Sequence, residues 1–144
     1  MGARTSGRQA ALQMLYGIEA NGFDVDTFIP SFWREFDAEP EGREYADAAV
    51  RGAVEQRERV DELIRSASTN WRLERMTRVD RNLLRLAAWE LSVRMDIPRA
   101  VILDEAVELA KRFGAEESSS FVNGVLDRIA EDLGRVDEDR EGRS

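Results

Sequence analysis

Apolar residues recur along this chain at three- and four-residue intervals, and no stretch alternates apolar with polar as a half-buried strand does. The pattern predicts an all-α fold. Ala11, Leu12, Leu15, Tyr16 and Ile18 form the first stripe, on a helix expected from Arg8 to about Asn21. Ser6 with Gln9 three residues on offers a capping box, and Asn21-Gly22 offers a stop. Phe28, Phe32, Trp33 and Phe36 define a second helix, with Pro30 tolerated in its first turn. Glu39-Pro40-Glu41-Gly42 reads as a loop. A long third helix is expected from about Arg43 to Ala67, burying Tyr45, Ala49, Val60, Leu63 and Ile64.

Residues Asn70 to Met76 read as a short helical turn that tucks Trp71, Leu73 and Met76 inward. Thr77 precedes Asp80 by three residues, a capping pattern that also sets a carboxylate at the positive end of a helix. That helix runs to about Met95, burying Leu83, Leu84, Leu86, Ala87 and Leu91, until Asp96-Ile97-Pro98 breaks it. Another follows from about Ala100 to Phe113 with Gly114 at C′, and the last runs from about Ser118 to before Gly134. No repeat or linker interrupts the series. The expectation is a single compact domain of about seven helices over residues 1–134, with 135–144 a charged, frayed tail.

Composition narrows the chemistry. With 144 residues, 42% of them hydrophobic, the chain can bury roughly two-thirds of its unfolded surface. No apolar run approaches membrane-spanning length, and the start lacks the apolar block of a signal peptide, so a cytoplasmic protein without a membrane role is expected. Cysteine and histidine are both absent. That removes thiolate nucleophiles, imidazole bases and nearly every zinc or iron site, and no metal or other cofactor is expected. Asp104 and Glu108 share a helix face, a pairing that can hold a divalent cation or divide acid and base roles. A di-metal bundle site draws on histidines this chain lacks, and Glu108 also sits four residues before Arg112. A solvated, ion-paired face is the simpler reading.

The net charge of −8 is unevenly spread: residues 1–18 carry +2, residues 19–64 carry −8, residues 65–99 carry +4 and residues 100–144 carry −6. A basic start and a basic middle can converge into one positive face for RNA. Arg4 and Arg8 flank a start with no acidic residue before Glu19, as in a flexible basic arm that gains affinity by counterion release. Arg72, Arg75, Arg78, Arg81 and Arg85 recur every three or four residues. They form either a phosphate-tracking stripe or a salt-bridged surface. Phe113 and Phe121 flank the turn 114–120, where an exposed ring can stack an unpaired base, although large aromatics are usually core residues.

Four ordered segments resemble a known family. They are Arg8-Gln9-Ala10-Ala11-Leu12-Gln13-Met14-Leu15-Tyr16, Asn70-Trp71-Arg72-Leu73-Glu74-Arg75-Met76, Val79 to Leu91, and Ile97 to Asp127 with its Glu-Leu-Ala-Lys-Arg-Phe-Gly and Phe-Val-Asn-Gly-Val-Leu-Asp phrases. Together they are similar to the bacterial transcription antitermination factors of the NusB family. The resemblance implies two packed antiparallel helical subdomains and an RNA-binding adaptor with no catalytic residues, not an enzyme. It implies a protein partner, the small-subunit ribosomal protein NusE, and a boxA-type RNA target, with RNA polymerase engaged indirectly. It places RNA contacts at Arg4, Arg8, Lys111, Arg112, Phe113, Glu117 and Phe121. It places Tyr16, Glu74 and Asp80 against NusE, with Arg75 and Arg81 as neighbours. Two alternatives remain: a role in ribosomal RNA maturation, and a homodimeric helical module. A stand-alone methyltransferase, the activity of larger proteins that carry such domains, is excluded because no glycine-rich cofactor loop or cysteine is present.

Overall fold

The structure, a computed structural model, describes residues 2–22 and 24–135; of the predicted tail, 136–144 lies outside them. Seven α-helices and one 3₁₀ turn carry the regular structure of the described residues. They are α1 (Ala3–Asn21), α2 (Val25–Glu35), α3 (Pro40–Glu55), α4 (Arg57–Ala67), the turn Leu73–Arg75, α5 (Arg78–Val93), α6 (Arg99–Phe113) and α7 (Ser118–Asp132). None of these helices is long and apolar enough to cross a membrane.

The axis of the fold is α5. Every residue from Asn82 to Leu91 is buried, because α5 packs against α1 and α3 on one flank and α4, α6 and α7 on the other. A helix surrounded on all sides has no polar face to give to water. Its polar members Asn82, Arg85 and Glu90 must therefore find partners inside, since an unpaired buried charge costs several kcal/mol. The two helical groups share one continuous core across α5, from Met14 and Ile18 of α1 to Leu126 and Ile129 of α7.

Several boundaries differ from the sequence expectation, each for a packing reason. The first helix begins at Ala3, with Gly2 as its cap, so Ser6 lies inside it and the Ser6–Gln9 capping box does not form. The extra turn is held by a close crossing with α3. A Cβ on Gly7 would stand 2.8 Å from the Gly42 carbonyl oxygen, and one on Gly42 would stand 2.9 Å from that of Ala3. The expected loop at 39–42 is accordingly the start of α3, with Pro40 at its first position, where the missing N–H costs nothing.

The long third helix is broken at Gln56, whose φ of −100° and ψ of 24° leave the helical range. The break lets α3 pack on α1 while α4 packs on α5 and α7. No glycine or proline signals it. Gly22 does stop α1 in the left-handed conformation, at φ 93°. Gly114 ends α6 in extended backbone instead, and is required because a Cβ there would lie 2.6 Å from that of Ser118. Trp71 is the largest reversal: it stands 58% exposed, whereas Leu73 and Met76 are buried as expected.

Candidate functional site

Arg8, expected on a flexible arm, is instead a buried anchor. Its side chain, 3% exposed, donates from Nε to Glu90 Oε2 at 2.7 Å and from Nη1 to Glu105 Oε1 at 2.9 Å. The Tyr45 hydroxyl donates to the same Glu90 oxygen, and Thr5 Oγ1 donates to Glu105 at 2.6 Å. The guanidiniums of Arg4, Arg8 and Arg94 all lie over the Tyr45 ring, at 5.3, 5.3 and 5.0 Å.

Burial pushes the Glu90 carboxyl above its usual range, against the pull of Arg8 and the Tyr45 hydroxyl. Burial would also lower Arg8, but Glu90 more than offsets this, and the guanidinium keeps its proton. Burial likewise raises the Tyr45 phenol. Glu90, interior to α5, is the reason Arg8 turns inward. In this structure Arg8, expected at the RNA surface, is turned inward and ties the N-terminal helix to α5 and α6. Arg4 remains on the surface, 3.7 Å from Asp96 in the turn before α6. Two hydrogen bonds from Arg94 hold the Asp96 carboxyl down at about 2.

At the other end of α1, Glu19 gathers the arginines of α5. Arg78 Nε donates at 3.0 Å, Arg81 Nε at 2.9 Å and Arg85 Nη1 at 2.7 Å, and Arg81 Nη2 adds a further bond. Arg85 also makes a paired contact to Asp61 on α4, at 2.8 and 3.1 Å. The Arg81 hydrogen bond, ahead of the cost of burial and the remaining positive charge, lowers the Glu19 carboxyl to about 2. Three of the five arginines in the predicted stripe are thus committed internally, on one face of α5 as their spacing requires. Arg72 and Arg75 lie on the preceding segment and face solvent.

The Glu19 cluster shapes the surface assigned to the protein partner. Arg78 lies over the ring of Tyr16, which is 43% exposed, at 5.3 Å. Arg81 Nη1 donates to the carbonyls of Leu73, at 3.2 Å, and Met76, at 2.8 Å, pinning the 3₁₀ turn that carries Glu74 and Arg75. Glu74 pairs with Arg65 at 3.2 Å; its own backbone N–H first, then Arg65, lowers its carboxyl. Asp80 departs from the expectation of a surface carboxylate. Its N–H donates to Thr77 Oγ1 at 3.1 Å, as the capping pattern predicts. The side chain is only 9% exposed, and Oδ1 is buried without a partner.

Residues assigned to RNA collect at the junction of α6 and α7. Lys111, Arg112 and Phe113 close α6, and Phe113 is 37% exposed beneath the Arg112 guanidinium, at 5.3 Å. Arg112 donates to Gln9 of α1 at 2.8 Å and not to Glu108, which pairs with Lys111 at 3.7 Å. Ser118 Oγ accepts from the Ala115 N–H at 2.9 Å and sets the turn, while Glu117, just before α7, makes no side-chain cap and is exposed. Phe121 is half-buried and meets the exposed Trp71 edge to face, with ring centroids 6.4 Å apart. Arg4 stands apart from this group, at the opposite end of α6.

The two sets meet. A hollow of about 320 Å³ is lined by Arg75 and Asp80 from the partner set and by Glu117 and Phe121 from the RNA set, with Trp71 as a wall. The sequence places Trp71 in the core and assigns no site role to it or to Glu19; the shared face of Arg78, Arg81 and Arg85 is compatible with an acid opposite, which is one of the two readings of the stripe. Asp104 and Glu108 are exposed, and among the described residues no acidic group is arranged to hold a metal ion.

The sequence and the fold are shared with known proteins. The model of the NusB family matches residues 5–131. The transcription antitermination protein NusB of Sorangium cellulosum is 67% identical over 97% of this chain and 100% of its own length. That of Myxococcus xanthus is 48% identical over 90% and 96%. Among solved structures, Thermotoga maritima NusB superposes with a TM-score of 0.80 at 38% identity, covering 89% of this chain and 90% of that one. A chain from the complex of antitermination factors NusB and NusE with double-stranded RNA superposes at 0.79 with 27% identity, covering 90% and 97%. The all-α architecture built around α5, the four sequence segments and these relatives converge on one conclusion: the chain belongs to the NusB family.

Proposed function

We propose that this chain is an RNA-binding antitermination factor that pairs with NusE, binds boxA-type RNA in ribosomal RNA leader transcripts, and helps assemble an antitermination complex on RNA polymerase. The observation that carries the reading is the shared hollow, where residues assigned to the protein partner and to RNA line one wall-to-wall surface. A partner seated at Tyr16, Glu74, Arg75 and Arg81 would abut RNA seated at Lys111–Phe113, Glu117 and Phe121. Each ligand then helps order the surface used by the other, which is positive coupling. Such coupling supplies affinity that an acidic chain with a net charge of −8 lacks by itself.

Anisotropy of a labelled single-stranded boxA RNA and a scrambled control, titrated with this chain, with NusE and with both, tests the proposal. Tighter and sequence-dependent binding by the mixture is the expected result. Equal binding of both RNAs, with no gain from NusE, rejects it and leaves a helical module of another role, including a homodimer. Within the complex, Tyr16→Ala is expected to weaken NusE binding roughly tenfold or more, as loss of an exposed interface aromatic does.

A further inference from the structure

The exposed tryptophan raises a separate question: why a ring that a core could use stands on the surface. Trp71 separates two hollows. On one side lie Phe121, Arg75, Met76 and Ser120; on the other, of about 280 Å³, lie Arg65, Ser68, Thr69 and Arg72. The segment that presents it is fixed. Ser68 Oγ donates to the Ile64 carbonyl at 2.7 Å and the Trp71 N–H donates to the Ser68 carbonyl at 3.1 Å. Arg81 holds the carbonyls of Leu73 and Met76 just beyond. The ring is therefore carried on a held turn, pre-organised for a ligand.

Charge around the ring selects the ligand. Glu74 is engaged by Arg65, and Asp80, at the edge of the first hollow, is only 9% exposed. Two exposed carboxylates also line the hollows, Glu117 and the Arg65-paired Glu74, but neither Arg72 nor Arg75 makes an ion pair among the described residues, so two guanidiniums flank the ring with their hydrogen-bond donors open to a ligand. An aromatic face between unpaired guanidiniums suits an unpaired base and its phosphates better than it suits a basic peptide.

We propose that Trp71 is a base-stacking platform for single-stranded RNA, with Arg72 and Arg75 holding the adjoining phosphates. This site extends the RNA surface from Phe121 across the 3₁₀ turn. The inference rests on the reading of the chain as an RNA-binding protein, and adds a site that this reading does not contain. Of the three tryptophans, Trp89 is buried and Trp33 is half-buried with its Nε1 donating to Asp47 at 2.7 Å, so a ligand on the surface reports chiefly through Trp71.

The test titrates the wild-type chain, Trp71→Phe, Trp71→Ala and Arg72→Ala with the boxA oligonucleotide in the presence of NusE, at several salt concentrations. RNA is expected to quench a fluorescence component that Trp71→Phe lacks. Trp71→Ala is expected to bind RNA about tenfold more weakly, Trp71→Phe to keep most of the affinity, and Arg72→Ala to reduce the salt slope by about one. Wild-type binding of RNA without quenching, and with Trp71→Ala unimpaired, overturns this site while leaving the RNA-binding reading intact. Weakened NusE binding by Trp71→Ala with RNA contacts unchanged also overturns it, making the ring a protein anchor. Absence of RNA binding by the wild type, with NusE present, removes both.

Discussion

The two ends of α1 carry opposite solutions to the burial of charge. Near its start, one cation, Arg8, is enclosed by Glu90 and Glu105; near its end, one carboxylate, Glu19, is enclosed by Arg78, Arg81 and Arg85. Glu90 is 1% exposed and its carboxyl is pushed up by burial, whereas Glu19 keeps some water, receives several donors, and is pulled down to about 2. The comparison separates two jobs. The Arg8 cluster lies within the packing of α1, α3, α5 and α6 and fixes where the N-terminal helix runs. The Glu19 cluster lies beneath the surface and fixes what that surface presents: Tyr16 through Arg78, and the 3₁₀ turn through Arg81.

Breaking the inner cluster should cost most. Arg8→Ala leaves Glu90 buried without its cation, and a loss of about 3–5 kcal/mol in urea denaturation is expected. Glu19→Gln should cost less, about 1.5–3 kcal/mol, because Arg85 keeps Asp61, Arg81 keeps the carbonyls of Leu73 and Met76, and Arg78 is open to water. Unlike the first variant, it should also speed hydrogen exchange at the amides of 73–76 while the core amides keep their protection. Equal effects on stability and on that turn from both variants would dissolve the distinction.

Acidity sharpens the comparison further. The Glu19 carboxyl falls from 4.5 to about 2 on folding, so its contribution is complete above about pH 4.5 and is lost as pH falls through about 2. The gap in melting temperature between the wild type and Glu19→Gln should therefore close progressively below pH 4.5. Glu90 has the reverse sign: its raised carboxyl favours the fold most below 4.5, and that advantage is lost as pH rises through its folded value. The smallest effect is expected for Arg4→Ala, whose ion pair to Asp96 is exposed on both sides. A change within about 1 kcal/mol in the same denaturation experiment is the expected outcome.

Much of the architecture was legible because it is local. The helix stops at Gly22 and at Asp96–Pro98, the Thr77 cap and the buried face of α5 all follow from residues a few positions apart. The break at Gln56 was not legible, since nothing in its neighbourhood forbids helix; only the separate partners of α3 and α4 require it. The start of α1 departs from the local signals for the same reason: Gly7 and Gly42 are 35 positions apart, and their crossing supports a turn that capping rules place elsewhere. In the candidate site, the residue types and the aromatic Phe121 could be named from the chain. The inward turn of Arg8 and of Asp80, and the outward turn of Trp71, could not.

By itself the sequence determined an all-α chain, its family, and a chemistry without thiol or imidazole, because periodicity, motif order and composition are properties of the chain alone. Only the tertiary structure decided which charges remain available. Arg8 meets Glu90 across 82 positions, and Arg78, Arg81 and Arg85 meet Glu19 across about 60. An arginine's spacing gives the face it shares, but whether that face is spent on an internal carboxylate or left for a ligand depends on which acid the fold brings opposite.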